Sequence, residues 1–218
     1  MDWHSWHDDY DRPDSALAQR LRAVQDLIRQ ALDAAPAGPV RIVSLCAGQG
    51  RDLLEVLAEH PRRGDVRARL VELDPRNAEV AAATVDRLRL TGVEVVVGDA
   101  SRTDHYADLV PADIVVACGI FGNITDDDIE RTIGFFPQLA KSGATVLWTR
   151  GRTDPDRIPL ILNWFDERAF DLIWVSSPDV SYGVGAHRFT GQSEPLVSGA
   201  QIFDFVGSDV IRAADRAR

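Results

Sequence analysis

Gly48 and Gly50 follow directly on a largely apolar run, residues 40–46, and stand just before an amphipathic segment that starts at Arg51. A strand that runs through Gly-x-Gly into a helix is a nucleotide-binding turn. The glycines let the backbone turn sharply and let a ligand approach the main chain, and the first N–H groups of the helix face an anion. Gly-x-Gly also occurs as a bare structural turn, so two carboxylates matter more. Glu72 ends the next apolar run, 24 residues after Gly48, where it can accept both hydroxyls of a ribose. Its alternative is to cap the following helix, a role that Asp74, directly before Pro75, suits better. Asp99 ends a third run and can accept from an adenine amino group, with the Ala100 amide beside it; its alternative is a turn aspartate after Gly98. The dinucleotide fingerprint wants a third glycine for close helix–strand packing, and that position is Leu53. Leu53 argues against a pyrophosphate-binding turn and therefore against NAD.

These residues need elements to hold them. Leu17, Leu21, Val24, Ile28 and Leu32 form a helical stripe, with Asp14 or Ser15 as its cap and the Pro- and Gly-rich residues 35–39 as its end. Strands are expected at residues 40–46, 66–72, 93–97, 113–118, 144–149 and 171–176. Helices are expected from Arg51 to about Glu59, from Pro75 to about Leu90 and after a capping box at Thr125, and one through Trp164 and Phe165. Two more strand candidates, residues 182–189 and 201–206, compete for the last place in the sheet. Strands alternating with helices imply a parallel sheet covered on both faces, and near-continuous apolar runs suit strands buried on both sides. The expected architecture is a three-layer α/β/α sandwich around a mostly parallel seven-stranded Rossmann-like sheet. It forms one domain: an N-terminal arm and helix (1–38), a ligand-binding core (40–150) and a C-terminal part with substrate-side loops (151–218).

The segments Val40-Arg-Ile-Val-Ser-Leu-Cys-Ala-Gly-Gln-Gly-Arg-Asp52, Leu70-Val-Glu-Leu-Asp-Pro75, Val97-Gly-Asp-Ala100 and Ala112-Asp-Ile-Val-Val-Ala-Cys-Gly119, taken in this order and spacing, resemble the class I S-adenosylmethionine-dependent methyltransferases over residues 40–150. The resemblance implies S-adenosyl-L-methionine as cofactor and S-adenosyl-L-homocysteine as product. It implies that Ala47, Gly48 and Gly50 line the methionine and ribose part, that Glu72 binds the ribose hydroxyls with Leu73 packed on adenine, that Asp99 and Ala100 meet the adenine edge, and that Cys118 and Gly119 lie beneath the methionine moiety. One departure stands out. Where the family has an acid four positions before the first loop glycine, and a glycine two before, this chain has Ser44 and Cys46. Asp52 or a group from the N-terminal arm is the expected substitute at the cofactor's amino group.

Methyl transfer from a sulfonium is an in-line displacement in which the protein supplies proximity and alignment, so no catalytic signature is required. Candidates come from the carboxyl ends of the strands: Phe121 and Asn123, Arg150, and Tyr182, His187 and Arg188. His187, Tyr182 and Asn123 are the catalytic candidates, with a structural histidine and a loop-satisfying asparagine as the plainer alternatives. Arg150 and Arg152 can hold a substrate carboxylate, or form surface ion pairs. In the arm, Trp3, His4, Trp6, His7 and Tyr10 are too apolar for a simple tail. Tyr10 and its neighbours either lid the cofactor mouth or dock the arm on the sheet.

The formal net charge of −10 disfavours nucleic acid and an anionic membrane surface as partners. The two cysteines, Cys46 and Cys118, form no CxxC pair, so neither a disulfide framework nor a metal site is expected. Without an export signal or a spanning apolar segment the expectation is a cytoplasmic monomer or homodimer. The leading function is methylation of a small or medium-sized molecule. The alternatives are S-adenosylmethionine-fold chemistry other than methyl transfer (cyclase, decarboxylase or aminopropyl transfer), a non-catalytic binding module and, more distantly, an NAD-dependent oxidoreductase.

Overall fold

The computed structural model describes Arg12 and residues 14–216. A seven-stranded sheet runs in the order β3-β2-β1-β4-β5-β7-β6. The strands are β1 (Val40–Leu45), β2 (Val66–Glu72), β3 (Val93–Val97), β4 (Ala112–Ala117), β5 (Ala140–Gly151), β6 (Phe170–Val175) and β7 (Tyr182–Phe189). β1 to β5 pair in parallel, and β7 lies antiparallel between β5 and β6. The helices among the described residues are α1 (Ala16–Ala34), α2 (Arg51–Glu59), α3 (Pro75–Leu88), α4 (Asp126–Leu139), α5 (Ile158–Asp166) and α6 (Ser208–Arg216).

Central β4 is buried along its whole length, and β1 at all but Arg41, as strands covered on both faces must be. One face of the sheet packs on α1, α2 and the Val85 and Leu88 side of α3, through Ile28, Leu32, Leu53 and Leu57. The other packs on α4 and α5 through Phe136, Trp148, Phe165 and Phe170. Local signals fix the helix starts. The Ser15 hydroxyl accepts from the Ala18 amide, Asp74 accepts from the Arg76 amide ahead of Pro75, and Thr125 accepts from the Asp128 amide.

After Val175 the structure decides what the sequence left open. Of the two competing strand candidates, residues 182–189 enter the sheet as β7. Residues 201–206 form no strand, and only Gln201 bridges to Arg102. Ile202 and Phe203 are consecutive and both buried in the α4-side core cluster, so this stretch plugs the core without a ladder beyond that single bridge. Residues 208–216 form α6, a helix that the sequence reading did not anticipate.

β1 leads outward through β2 to β3, and β4 returns to pair on the other side of β1. Ligands of open α/β sheets bind at such a reversal, beyond the carboxyl ends of the strands.

Candidate functional site

A cleft of about 880 Å³ opens at the carboxyl ends of β1, β2, β4 and β5. The loop after β1 forms its floor. Cys46, Gly48 and Gly50 all have positive φ (49°, 56° and 69°), and Gly50 is the N-cap of α2. A Cβ on Gly50 would come within 2.8 Å of Leu54 and of Leu70, so this glycine serves the close helix–strand approach. Gly50 does not line the cleft, whereas Ala47, Gly48 and Asp52 do. The role expected for Gly50 is corrected on this point: it sets the turn, and its neighbours form the wall.

Glu72, at the end of β2, uses both carboxylate oxygens on main-chain amides. One accepts from Gly48 N at 2.8 Å and the other from Asp74 N at 2.9 Å. The carboxylate thereby ties the β1 loop to the β2 loop, and each oxygen keeps a second lone pair for a diol. Leu73 next to it is 68% exposed on the cleft wall, an apolar plate with no protein cover. Asp99 accepts from the Ser101 amide at 2.9 Å, and the Tyr106 hydroxyl donates to the Ala100 carbonyl at 2.7 Å. Together they fix the turn after β3 at the cleft edge. Across the cleft, Gly119 N donates to the Thr149 hydroxyl at 2.8 Å, which joins the ends of β4 and β5. A Cβ on Gly119 would meet open space, so glycine there widens the cleft.

Asp52 heads α2 beside Cys118. Burial raises its carboxyl to about 6, against the lowering influence of the Leu53 amide and of Arg20. Burial also pushes the Cys46 and Cys118 thiols well up, aided at Cys46 by Glu72 and Asp99 and at Cys118 by Asp52. Neither thiol is therefore a ready nucleophile. Ser44 is buried in β1 away from the cleft lining, its hydroxyl without a hydrogen-bond partner. Asp52, and not residue 44, is the group that lines this corner of the cleft.

Ala47, Gly48, Asp52, Glu72, Leu73, Asp99, Ala100, Cys118, Gly119 and Asn123 all line the one cleft. Tyr10, with Trp3, His4, Trp6 and His7, lies outside the described residues. The other candidates are not brought together. β7 runs antiparallel, so it starts at the cleft edge, where Tyr182 pairs with Gly151, and then recedes until His187 pairs with Val146. Tyr182 packs beside the core cluster on the α1 side of the sheet and does not line the cleft. His187 is 1% exposed and stacked 4.0 Å from the Phe165 ring. Its nitrogens have no partner at hydrogen-bond geometry. Burial lowers its pKa to about 4, opposed by the Phe170 backbone. Its expected catalytic role is corrected to that of a core ring. Asn123 does line the cleft, but its amide is spent on structure: Nδ2 donates to Gly119 O at 2.7 Å and Oδ1 accepts from Ser208 N at 2.9 Å.

Sequence reasoning missed the cover of the cleft. Arg20, Leu21 and Val24 of α1 contribute on one side, and Phe203, Phe205, Ser208, Ile211 and Arg212 on the other. The stripe on α1 was readable, but its direction was not. The Asn123 carbonyl and side chain hold Val206, Gly207 and Ser208 through their amides, a tie with no local signature. Among the described residues no group of three or more His, Cys, Asp and Glu side chains is arranged to hold a metal ion. No described helix is long and apolar enough to cross a membrane.

Solved structures share this fold. An O-methyltransferase family protein from Burkholderia thailandensis aligns at 17% identity and TM-score 0.64, over 88% of this chain and 60% of that protein. This chain thus spans less than two thirds of that relative's length. The 1,6-didemethyltoxoflavin-N1-methyltransferase of the same organism, solved with 1,6-didemethyltoxoflavin and S-adenosylhomocysteine bound, aligns at 15% identity and TM-score 0.61, over 87% of this chain and 84% of that one. An O-methyltransferase family 2 protein from Planctomyces limnophilus, in complex with apigenin, aligns at 15% identity and TM-score 0.56, over 82% and 62%. No curated protein matches the chain. A family model described as "Putative methyltransferase" matches residues 15–160, which takes in α1, the β1 loop and every carboxylate of the cleft. By that match the chain belongs to this methyltransferase family.

Proposed function

We propose that the chain binds S-adenosylmethionine and transfers its methyl group to a small or medium-sized acceptor. The observation that carries this reading is the Glu72 carboxylate, held by the Gly48 and Asp74 amides beside the exposed Leu73. A diol acceptor next to an apolar plate is what a nucleoside requires. In this reading Glu72 accepts the ribose hydroxyls, Leu73 covers the adenine face, and Asp99 and the Ala100 amide meet its edge. Ala47, Gly48, Cys118 and Gly119 flank the methionine chain, and Asp52 pairs with its amino group.

When bound, the cofactor supplies a methyl group activated on a sulfonium. The residues of the chain bind, align and exclude water. Two molecules held in reacting geometry need no nucleophile from the protein, in keeping with thiols that burial keeps protonated. The cleft volume of about 880 Å³ lies at the upper end for small-molecule pockets, room for a cofactor and a modest acceptor side by side. The neighbours bound to S-adenosylhomocysteine and to apigenin support the same pairing.

Thermal unfolding tests the reading. A ligand at a hundredfold its Kd stabilises a protein by about 2.7 kcal/mol. For a chain of this length that raises Tm by roughly 5–10 °C. S-adenosylmethionine and S-adenosylhomocysteine are expected to give that shift and NAD none. A shift with NAD alone refutes the proposal.

A further inference from the structure

The far end of the cleft, beyond the cofactor loops, is walled by the last residues of β5 and by the C-terminal cover. Arg150 sits there, lining the cleft yet only 3% exposed. Its Nη1 donates to the Phe121 carbonyl. No other hydrogen bond and no ion pair reaches it among the described residues, so one of its five N–H donors has a protein partner. The neighbouring arginines differ. Arg152 is bonded to Asp156 and to the Ser176 carbonyl. Arg157 holds Asp126 at 2.8 Å and Asp215 at 2.9 Å. Arg212, across the cleft, holds Asp209 at 2.6 Å. Each carboxylate near Arg150 is thus claimed by a different cation. Asp126, Asp215 and Asp156 act on Arg150 only from a distance, and burial is the largest influence on its guanidinium, lowering its pKa.

A buried guanidinium with no direct ion pair and with most of its N–H donors unpaired is costly. A protein retains one in a binding cleft when the counter-charge arrives with the ligand. The planar guanidinium fork matches a carboxylate, which it can grip with two parallel N–H bonds. The surrounding charges already balance, Arg150, Arg152 and Arg157 against Asp126, Asp156 and Asp215, so a monoanion is better tolerated at this guanidinium than a phosphate dianion. The rest of this wall carries apolar surface, Phe205 (45% exposed) and Ile211, together with Ser208 and the paired Arg212. We propose that the methyl acceptor is a small apolar or aromatic monocarboxylic acid whose carboxylate pairs with Arg150. This assignment rests on the reading of the cleft as a methyltransferase site, and it makes Arg150 a specificity-determining residue.

The test is isothermal titration of the full chain, first with S-adenosylhomocysteine and then, in its saturating presence, with matched acid and amide probes: benzoate and benzamide, phenylacetate and phenylacetamide, hexanoate and hexanamide, and inorganic phosphate. The expected result is that at least one acid binds about tenfold or more tighter than its amide, since a lost charged hydrogen-bond pair is worth about 1.5–3 kcal/mol. Arg150→Met abolishes this preference with S-adenosylhomocysteine affinity intact, and Arg150→Lys keeps a part of it. Equal binding of acids and amides, no acid binding up to millimolar concentration, tighter binding of phosphate than of every acid, or a preserved preference in Arg150→Met overturns the proposal. Should Arg150→Met fail to fold, the acid–amide contrast in the wild type and in Arg150→Lys decides. The two readings fail separately. A wild-type protein that gives no S-adenosylhomocysteine signal refutes the cofactor reading, and one that gives it but shows no acid preference refutes this one.

Discussion

Asp52 is the residue whose environment says most about the methionine end of the cleft. The β1 position at which the family resemblance leads one to expect an acid is Ser44 here, sealed inside the sheet. Asp52 is near by sequence and faces the cleft, and burial holds its pKa at about 6. The folded value lies above the unfolded one, so this carboxyl destabilises the unliganded protein increasingly as pH rises through that window. A ligand ammonium reverses the balance by pairing with the ionised form. S-adenosylhomocysteine affinity is therefore expected to fall below pH 6, by up to about tenfold per pH unit. Asp52→Asn is expected to flatten that profile and to stabilise the unliganded protein at pH 7.5 by about 1–2 kcal/mol. Titration calorimetry across pH checks both. An affinity independent of pH in the wild type would remove Asp52 from the amino-group site.

At the scale of elements, the orientation of β7 decides which histidine matters. Placed at the carboxyl end of the sheet, Tyr182 and His187 are catalytic candidates. As an antiparallel strand the chain leaves that end, and His187 ends against Phe165 and Trp148. Burial lowers the His187 pKa to about 4, so the unfolded chain takes up its proton first as pH falls from about 6.5, and stability is lost between these values. His187→Leu removes two unpartnered buried nitrogens. It is expected to raise stability by about 1 kcal/mol, to weaken the loss of stability between pH 6.5 and 4, and to leave S-adenosylhomocysteine affinity at pH 7.5 unchanged. Urea unfolding across pH measures the first two. A hundredfold fall in affinity would return the residue to the site. The same strand marks where sequence reading stopped. α2 and α3 were legible to within a residue or two, because caps, Pro75 and apolar stripes are local. Glu72 and Asp99 were placed by the strand ends before them, and Leu73 only by the family resemblance; all three line the cleft. Strand direction after Val175 depends on pairing partners far away in the chain, and the pattern of Val184, Ala186 and Phe189 is the same in either direction.

At the scale of the whole molecule, two packed faces of one sheet carry the fold, and the cover of the cleft is an addition. None of the α6 side chains is buried. The helix is joined to the body by the Asn123–Ser208 hydrogen bond of 2.9 Å and by the Arg157–Asp215 pair of 2.9 Å. A chain ending at Ser208 is expected to stay folded, with stability lowered by about 1 kcal/mol, and to bind S-adenosylhomocysteine within a few-fold of the full chain. It is expected to lose most of its affinity for the acid probes, because Ile211 and Arg212 no longer close the far wall. Calorimetry on the shortened chain measures both, and cofactor affinity that collapses with the helix would mean that the cover belongs to the cofactor half. The cover escaped the sequence reading because its contacts span a separation of 85 residues between Asn123 and Ser208, beyond the reach of any periodicity.

The Asn123 clasp has a consequence for how such a protein changes over time. One loop residue fastens three successive amides, those of Val206, Gly207 and Ser208. What lies beyond the fastening is held without burying side chains of its own. The segment that closes the far wall of the cleft, and that meets the acceptor in the proposed reading, is thus free to mutate, lengthen or be exchanged while the loops after β1 and β2 stay under constraint. New acceptor preferences can be selected from libraries confined to residues 208–212, with Asn123 and the cofactor loops left intact.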